Sequence, residues 1–232
     1  MTQENQVILT EQVTKEYSDH GVPVRALNGI DLSIAAGEFV AIVGPSGSGK
    51  TTFLNVISGL DTVSSGHIWL SGRKLSQMTG RELSDIRRDR IGFVFQAYNL
   101  IPVLTVEENI EYIMLLQGVP RSERHRRILD LLKPLGLEGM ASRLPTKLSG
   151  GQQQRAAVAR AIVSEPDLVL ADEPTANLDS KTAVELIDMM YQMNQQSGIT
   201  FVFSTHDDQI MERAKRLIVL KDGRIDRDEV QQ

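Results

Sequence analysis

No cysteine occurs in the 232 residues of this chain. That excludes a disulfide framework, a thiolate metal site and a cysteine nucleophile, and it fits a cytosolic setting. No apolar run approaches the roughly 18 residues that a membrane span needs. The first residues, Met1-Thr2-Gln3-Glu4-Asn5-Gln6, lack the basic-then-apolar order of a secretion signal. The chain is therefore expected to be soluble by itself, with any membrane role reached through a partner. Positive charge is not in excess: the formal net charge is −5, so nucleic acid is not an expected partner. There is one tryptophan, Trp69, read as a packing residue in a strand. His20, His67 and His125 lack metal-ligand spacing, and no internal repeat or low-complexity segment is visible. What remains is ordinary composition, 41% hydrophobic and 24% charged, enough for one large domain or a core with a subdomain.

Against that background one stretch is unusual. The apolar run Phe39-Val40-Ala41-Ile42-Val43 enters Gly44-Pro45-Ser46-Gly47-Ser48-Gly49-Lys50-Thr51-Thr52, and Phe53-Leu54-Asn55-Val56-Ile57 leaves it with helical spacing. This is the pattern G-x-x-x-x-G-K-[ST] between a strand and a helix, a phosphate-binding loop. Glycines let backbone N–H groups turn around a polyphosphate, and the helix N-terminus adds oriented donors. Lys50 can reach terminal phosphates, and the Thr51 hydroxyl can ligate Mg²⁺. The loop implies a nucleotide and does not choose among the enzymes that use one.

The periodicities give a coarse plan. Strands are expected over 7–14, 24–34, 67–70, 91–95, 168–171, 200–203 and 216–221, with Asn28-Gly29 as a turn or bulge and Tyr17 in a polar loop with Ser18, Asp19, His20 and Gly21. Asp222-Gly223 reads as a type I′ hairpin turn into 224–226. Helices are expected over about 80–88, after the Thr105–Glu108 capping box, over 122–133, 151–163 and 180–196. Strand–helix alternation predicts an α/β fold with a mostly parallel, covered sheet, interrupted by a mainly helical insert over about 97–160. The run Arg121-Ser122-Glu123-Arg124-His125-Arg126-Arg127 is read as a solvated helix face, and Met189, Met190 and Met193 as core-facing.

Two further constellations carry chemistry. Leu168-Val169-Leu170-Ala171 reads as a buried strand that delivers Asp172 and Glu173 at its C-terminal end, where open α/β sheets hold ligands. Asp172 can hold Mg²⁺ beside Thr51, and Glu173 can accept a proton from an attacking water. Leu148-Ser149-Gly150-Gly151-Gln152 places small residues and free N–H groups at a second helix N-terminus. Two such devices fit a two-fold dimer in which each chain's loop faces the other chain's helix.

These residues, in this order, resemble the ATP-binding-cassette family over nearly the whole chain. Gly44 to Thr52 match its Walker A loop, Leu148 to Gln152 its signature motif and Leu168 to Glu173 its Walker B strand. Gln96 stands at the Q-loop, Asn177-Leu178-Asp179 at the D-loop, His206 at the switch histidine and Tyr17 at the adenine-stacking aromatic. Ala176 occupies a D-loop position often taken by Ser or Gly. The resemblance implies a P-loop NTPase core with a mostly parallel sheet, an N-terminal antiparallel β subdomain and an inserted helical subdomain. It implies one nucleotide-binding domain over 1–232, with the core at 1–96 and 161–232 and the helical part at 97–160. It implies an ATPase with ATP and Mg²⁺ as ligands. Tyr17 would stack on adenine, Ser46 to Lys50 would wrap the phosphates, with Gly44 and Pro45 in the same nucleotide-binding loop, and Thr51, Gln96 and Asp172 would serve Mg²⁺. Thr52 would touch an inner phosphate. Glu173 would be the general base, with His206 and Gln96 holding the γ-phosphate and water. Ser149, Gly150, Gly151 and Gln152 would serve the ATP of a second copy, and Asp179 would communicate across the dimer.

The segments Ile86 to Gln96, Asn99 to Pro102 and Leu104-Thr105 look like the macrolide-exporter and lipoprotein-releasing branch, which includes antimicrobial-peptide resistance systems. That implies an integral membrane permease as partner, contacted through Ala97, Tyr98, Leu100 and Ile101, although Leu100 and Ile101 also suit local packing. The protein would be cytoplasmic and peripheral on the inner face of the membrane through that partner. A regulatory ATPase of cell division or envelope signalling is the alternative.

Overall fold

In a computed structural model, which describes residues 5–19 and 22–231, the apolar runs build two sheets. One is antiparallel: β1 (Gln6–Asp19), β2 (Val22–Ala35), β4 (Ser65–Leu70) and β5 (Arg73–Lys74) lie in the order β2-β1-β4-β5. The other contains β3 (Phe39–Val43), β6 (Ile91–Phe95), β7 (Leu168–Asp172), β8 (Thr200–Ser204), β9 (Arg216–Lys221) and β10 (Arg224–Val230). Its order is β10-β9-β3-β8-β7-β6, parallel throughout except for β10 at the edge. The expected mostly parallel sheet and N-terminal antiparallel sheet are both present.

Alternation explains why the central strands are apolar without a break. Val40, Ile42, Leu168, Leu170 and Val202 point to one face, onto helix α1 (Lys50–Ile57) and the antiparallel sheet. Ala41, Val43, Val169, Ala171, Phe201 and Phe203 point to the other, toward α3 (Val106–Leu116), α5 (Gly150–Ile162) and α6 (Ser180–Ser197). Both faces are covered, so neither side of a strand can be polar. Helices α2 (Gly80–Arg90) and α4 (Arg121–Leu132) complete the order up to β7. α5 lies against β6 closely enough that a Cβ on Gly92 would stand 2.1 Å from the Ala161 carbonyl oxygen. Only glycine permits that approach.

Several expectations need correction. β1 continues to Asp19, so Tyr17 is a strand residue paired with Val24 rather than part of a loop; His20 and Gly21 lie outside the described residues. A six-residue helix, α7 (Asp208–Arg213), was not anticipated; the Asp207 side chain caps it by accepting from the Gln209 amide. Others hold. Gly29 takes φ 74 at a register break in β2. The hairpin turn has φ 50 at Asp222 and 71 at Gly223, both positive as type I′ requires. Met190 is buried, while Met189 and Met193 are partly buried against the same core. The basic run of α4 is an ion-paired face: Glu123 meets Arg126 and Arg127 at 2.7 Å, and Glu111 meets Arg124 at 2.6 Å. Trp69 is half-buried in β4 under the Lys74 ammonium, 5.1 Å from its ring centre. No helix among the described residues is long and apolar enough to cross a membrane.

Candidate active site

β3 ends at the glycine-rich loop, and α1 starts from it. Gly44 takes φ 150, and a Cβ there would stand 2.1 Å from the Leu220 carbonyl oxygen and 2.8 Å from Ser48 Oγ. The loop is therefore closed to side chains at its entry. α1 has Gly49 at its N-cap, with no side-chain cap and no acidic residue in its first turn. α2, α3 and α5 each carry a capping box instead. The first amides of α1 are left for an anion. Lys50 Nζ folds back on the loop and donates to the carbonyls of Gly44 (2.8 Å) and Pro45 (3.1 Å), neutral acceptors only.

The two acids arrive on β7. Thr51 Oγ1 donates to the Asp172 carboxylate, at 3.2 and 3.3 Å from its two oxygens. Glu173 sits at φ 46, a left-handed conformation that a non-glycine residue adopts at a cost. Its amide donates to Ser204 O at 2.8 Å, and its carboxylate lies 2.8 Å from His206 Nδ1. The Glu173 side chain is 18% exposed and that of His206 75%, so the histidine stands on the solvent side of the pair.

A cavity of about 580 Å³ joins the loop to Glu173 and His206, while Asp172 stands behind Thr51 and is not among the lining residues. Gly44, Pro45, Ser46, Gly47, Gly49, Lys50, Thr51, Thr52, Gln96, Glu173 and His206 line it. Ser48 is buried and absent from the lining. Two lining residues were not foreseen, Ala26 and Ser204, and Ala176, read above as a D-loop position, lines it too. Ala26 comes from β2, and nothing local in the sequence signals its position. Ser204 is in register with Asp172, and its hydroxyl is buried without a hydrogen-bond partner.

Other expected residues are not among those lining this cavity, although the Tyr17 hydroxyl reaches the side chain of Thr52 at its edge. Tyr17 is partly exposed; its hydroxyl donates to Asp61 Oδ2 at 2.8 Å, and Lys15 Nζ sits 4.8 Å from its ring centre. Burial, and then the bond to Asp61, hold the Tyr17 phenol above its ordinary pKa. Burial opposes the charge on Asp61, but hydrogen bonds from Lys15, Tyr17 and the Thr62 amide outweigh it and set that carboxyl below its usual range. Asp61 was missed because it lies 44 residues from Tyr17.

Ser149 to Gln152 form the N-terminus of α5, and the expectation of wholly free donors there is corrected. Ser149 Oγ accepts from the Gln152 amide at 3.3 Å, and Gln152 Oε1 accepts from the Ser149 amide at 3.0 Å. The S-x-x-Q spacing was the signal for this box. Gly150 and Gly151 supply the first-turn amides left over. Asp179 caps α6, accepting from the Thr182 amide (3.0 Å) and hydroxyl (2.7 Å). These bonds, the hydroxyl's first, hold its carboxyl below the usual range. Asn177 Nδ2 donates to Gln96 O at 2.9 Å, joining the segment before α6 to the end of β6.

The fold and this cavity define a P-loop ATPase of the cassette type, and comparison gives its family. Residues 27–176 match the family model described as ABC transporter, and the chain belongs to that family. It is 44% identical over 227 residues to an uncharacterized ABC transporter ATP-binding protein of Methanocaldococcus jannaschii, covering 96% of this chain and 97% of that one. It is 43% identical over 219 residues to the macrolide export ATP-binding/permease protein of Brucella melitensis, covering 94% of this chain but 34% of that one. Among solved structures, the dimeric Methanocaldococcus cassette superposes with a TM-score of 0.89 at 43% identity, covering 97% of this chain and 99% of that chain. A post-hydrolysis state of the same cassette with ADP and Pi gives 0.88 at 42% identity, with the same coverage. The protein is an ATP-binding and ATP-hydrolysing subunit of the ABC transporter class. Family and dimeric homologue together imply a dimer and a membrane partner.

Proposed function

We propose that two copies of this chain enclose two ATP molecules and that hydrolysis reopens them to drive a membrane permease, in export or in envelope lipoprotein or antimicrobial-type systems. The observation that carries the hydrolytic part is the Glu173–His206 contact at 2.8 Å on the wall of the phosphate cavity. Glu173 takes the proton of the attacking water, and His206 and Gln96 hold water and γ-phosphate in line. Lys50 exchanges its two loop carbonyls for phosphate oxygens. Thr51 and Asp172 place three hard oxygens together, a set that fits Mg²⁺ with phosphate ligands. Among the described residues no cluster of three His, Asp or Glu could hold a metal alone. These two residues would hold Mg²⁺ with Gln96, and the ion would neutralise developing phosphate charge. Tyr17 stacks on the base from a ring fixed by Asp61.

The second half of the site comes from the other copy. Ser149, Gly150, Gly151 and Gln152 lie outside the cavity lining of their own chain, as a split site requires. Asp179 faces the same junction. The permease docks on the segment after Gln96, where Ala97 and Ile101 are exposed and Tyr98 and Leu100 half-buried. Leu100 also packs against the core, so Ala97 and Ile101 carry the freer surface. Macrolide and pyoverdine export proteins among the relatives support the export reading. The protein then works at the inner face of the membrane, in the cytoplasm. The core at 1–96 and 161–232 binds nucleotide, and 97–160 carries the signature.

The test is Glu173→Gln. Turnover should fall by about 10²–10⁴-fold with ATP binding kept, and ATP should then hold a dimer in sedimentation. A variant that stays monomeric at saturating ATP and high protein concentration rules out the enclosed pair.

A further inference from the structure

Two chain segments meet at the Glu173–His206 contact. One leaves the end of β7 and carries Glu173, Pro174 and Thr175; the other leaves the end of β8 and carries Ser204, Thr205, His206 and Asp207. Three bonds run between them. The Glu173 amide donates to Ser204 O at 2.8 Å, His206 Nδ1 lies 2.8 Å from the Glu173 carboxylate, and the Thr175 hydroxyl donates to Asp207 Oδ2 at 2.6 Å. The outer two bracket the middle one, so the Glu173–His206 pair sits inside a closed ring of chain. The Thr175 bond has had no part in the chemistry so far. Thr175 is buried, and a hydrogen bond to an ionised carboxylate is among the stronger ones.

The two segments are anchored unequally. On the Glu173 side, Gln154 Nε2 also donates to Pro174 O at 2.6 Å. On the His206 side, the Thr205 amide donates to Ile42 O at 3.1 Å, ahead of the histidine. Behind the histidine stands Asp207. Its amide donates to Thr205 Oγ1 at 3.0 Å, its Oδ1 accepts from the Gln209 amide at 2.9 Å, and its Oδ2 accepts from Thr175. Of these three bonds, only the last reaches the segment that carries Glu173. The His206 ring is 75% exposed, and Glu173 is its one hydrogen-bond partner among the described residues. We propose that Thr175 and Asp207 are positioning residues for hydrolysis: their bond holds the His206 backbone so that the ring stays within reach of Glu173 and of the γ-phosphate. The proposal rests on the hydrolytic reading above and adds the residues that set its geometry. Displacing a reacting group by about 1 Å can cost about 10²-fold in rate. Neither Thr175 nor Asp207 lines the phosphate cavity, so the effect belongs to turnover and not to nucleotide binding.

The test is steady-state ATP hydrolysis by the full chain carrying Thr175→Val, which keeps the side-chain shape, removes the proton donor and leaves Asp207 to cap α7. The kcat should fall about 10-fold while KM for ATP stays within about two-fold. Thr175→Ser returns the hydroxyl and should restore kcat. Asp207→Ser is the second variant and carries the comparison if Thr175→Val does not fold. Serine still caps α7 but is too short to reach Thr175, so the same split between kcat and KM is expected. In a His206→Ala background neither change should lower kcat further, because substitutions that act through one group do not add. A hydroxyl that served folding alone would lower it again there. An unchanged kcat, a loss that Thr175→Ser does not restore, or a further loss in the His206→Ala background overturns the proposal and leaves the hydrolytic reading intact. Full kcat in His206→Ala alone overturns both.

Discussion

Glu173 is held in a left-handed conformation, with its amide on β8 and its carboxylate on a solvent-facing histidine. Strain of this kind persists only where neighbours overdetermine it. Here the neighbouring strand fixes the backbone and leaves the carboxylate to meet the exposed His206. Asp61 is a second residue whose worth comes from its contacts. It ties Lys15, Tyr17 and the Thr62 amide together. Asp61→Asn should cost about 1–3 kcal/mol at neutral pH, read from urea midpoints. The sign follows from its lowered pKa: the folded chain binds this proton less readily than the unfolded chain. The stabilisation is thus present above the ordinary Asp pKa of 3.8 and lost as pH falls below it through the folded value. The gap between wild type and variant should shrink as the pH falls below the ordinary Asp pKa of 3.8. A gap that does not shrink at all on acidification below the ordinary pKa means the carboxylate charge is not what holds Tyr17.

At the scale of elements, α5 ties together several separate segments of the chain. Its first residue follows Ser149, Gln154 donates to Pro174 O at 2.6 Å, Ala161 rests on Gly92, and Arg160 grips the segment after Gln96. Ser149 has two possible duties, helix cap and nucleotide contact, and substitution separates them. Ser149→Ala should lose about 1 kcal/mol of stability with its cap. Ser149→Asp keeps a capping oxygen and adds a negative charge. It should unfold at the wild-type urea midpoint yet fail to form the ATP-dependent dimer in a Glu173→Gln background. If the aspartate form still dimerises, Ser149 does not face phosphate. The phosphate loop was readable because its chemistry is local: nine consecutive residues state it. The long β1–β2 hairpin was only half readable, since Tyr17-Ser18-Asp19 is polar and is held in a strand by pairing with 22–24 rather than by apolar alternation. α7 spans too few residues to show a helical period. The bonds from Asn177 to Gln96 and from Arg160 to Tyr98 link positions 81 and 62 residues apart, beyond any local pattern.

For the whole molecule, nucleotide should act as a stabiliser. At 100-fold excess over its dissociation constant, ATP contributes about 2.7 kcal/mol, roughly 5–10 °C in Tm for a domain of this size. Lys50→Ala should abolish most of that rise. In Glu173→Gln the rise should also grow with protein concentration, because the species stabilised is a pair; a concentration-independent Tm would indicate that each chain holds its nucleotide alone. The overall plan of two sheets, one phosphate loop and a helical insert was legible from the order of strands and helices.

The edge of the large sheet bears on how such pairs form. β10 is its outermost strand, antiparallel to β9, and carries Arg224, Asp226, Arg227, Asp228 and Glu229, nearly all exposed. Arg216 on β9 clasps Asp228 from beside it at 2.7 Å. An open sheet edge is a template on which further strands can add without limit. Alternating charge makes this one a poor template, so growth into filaments is discouraged. In the proposed pairing, assembly is left to the phosphate face, where a two-fold contact would close on itself and stop at two.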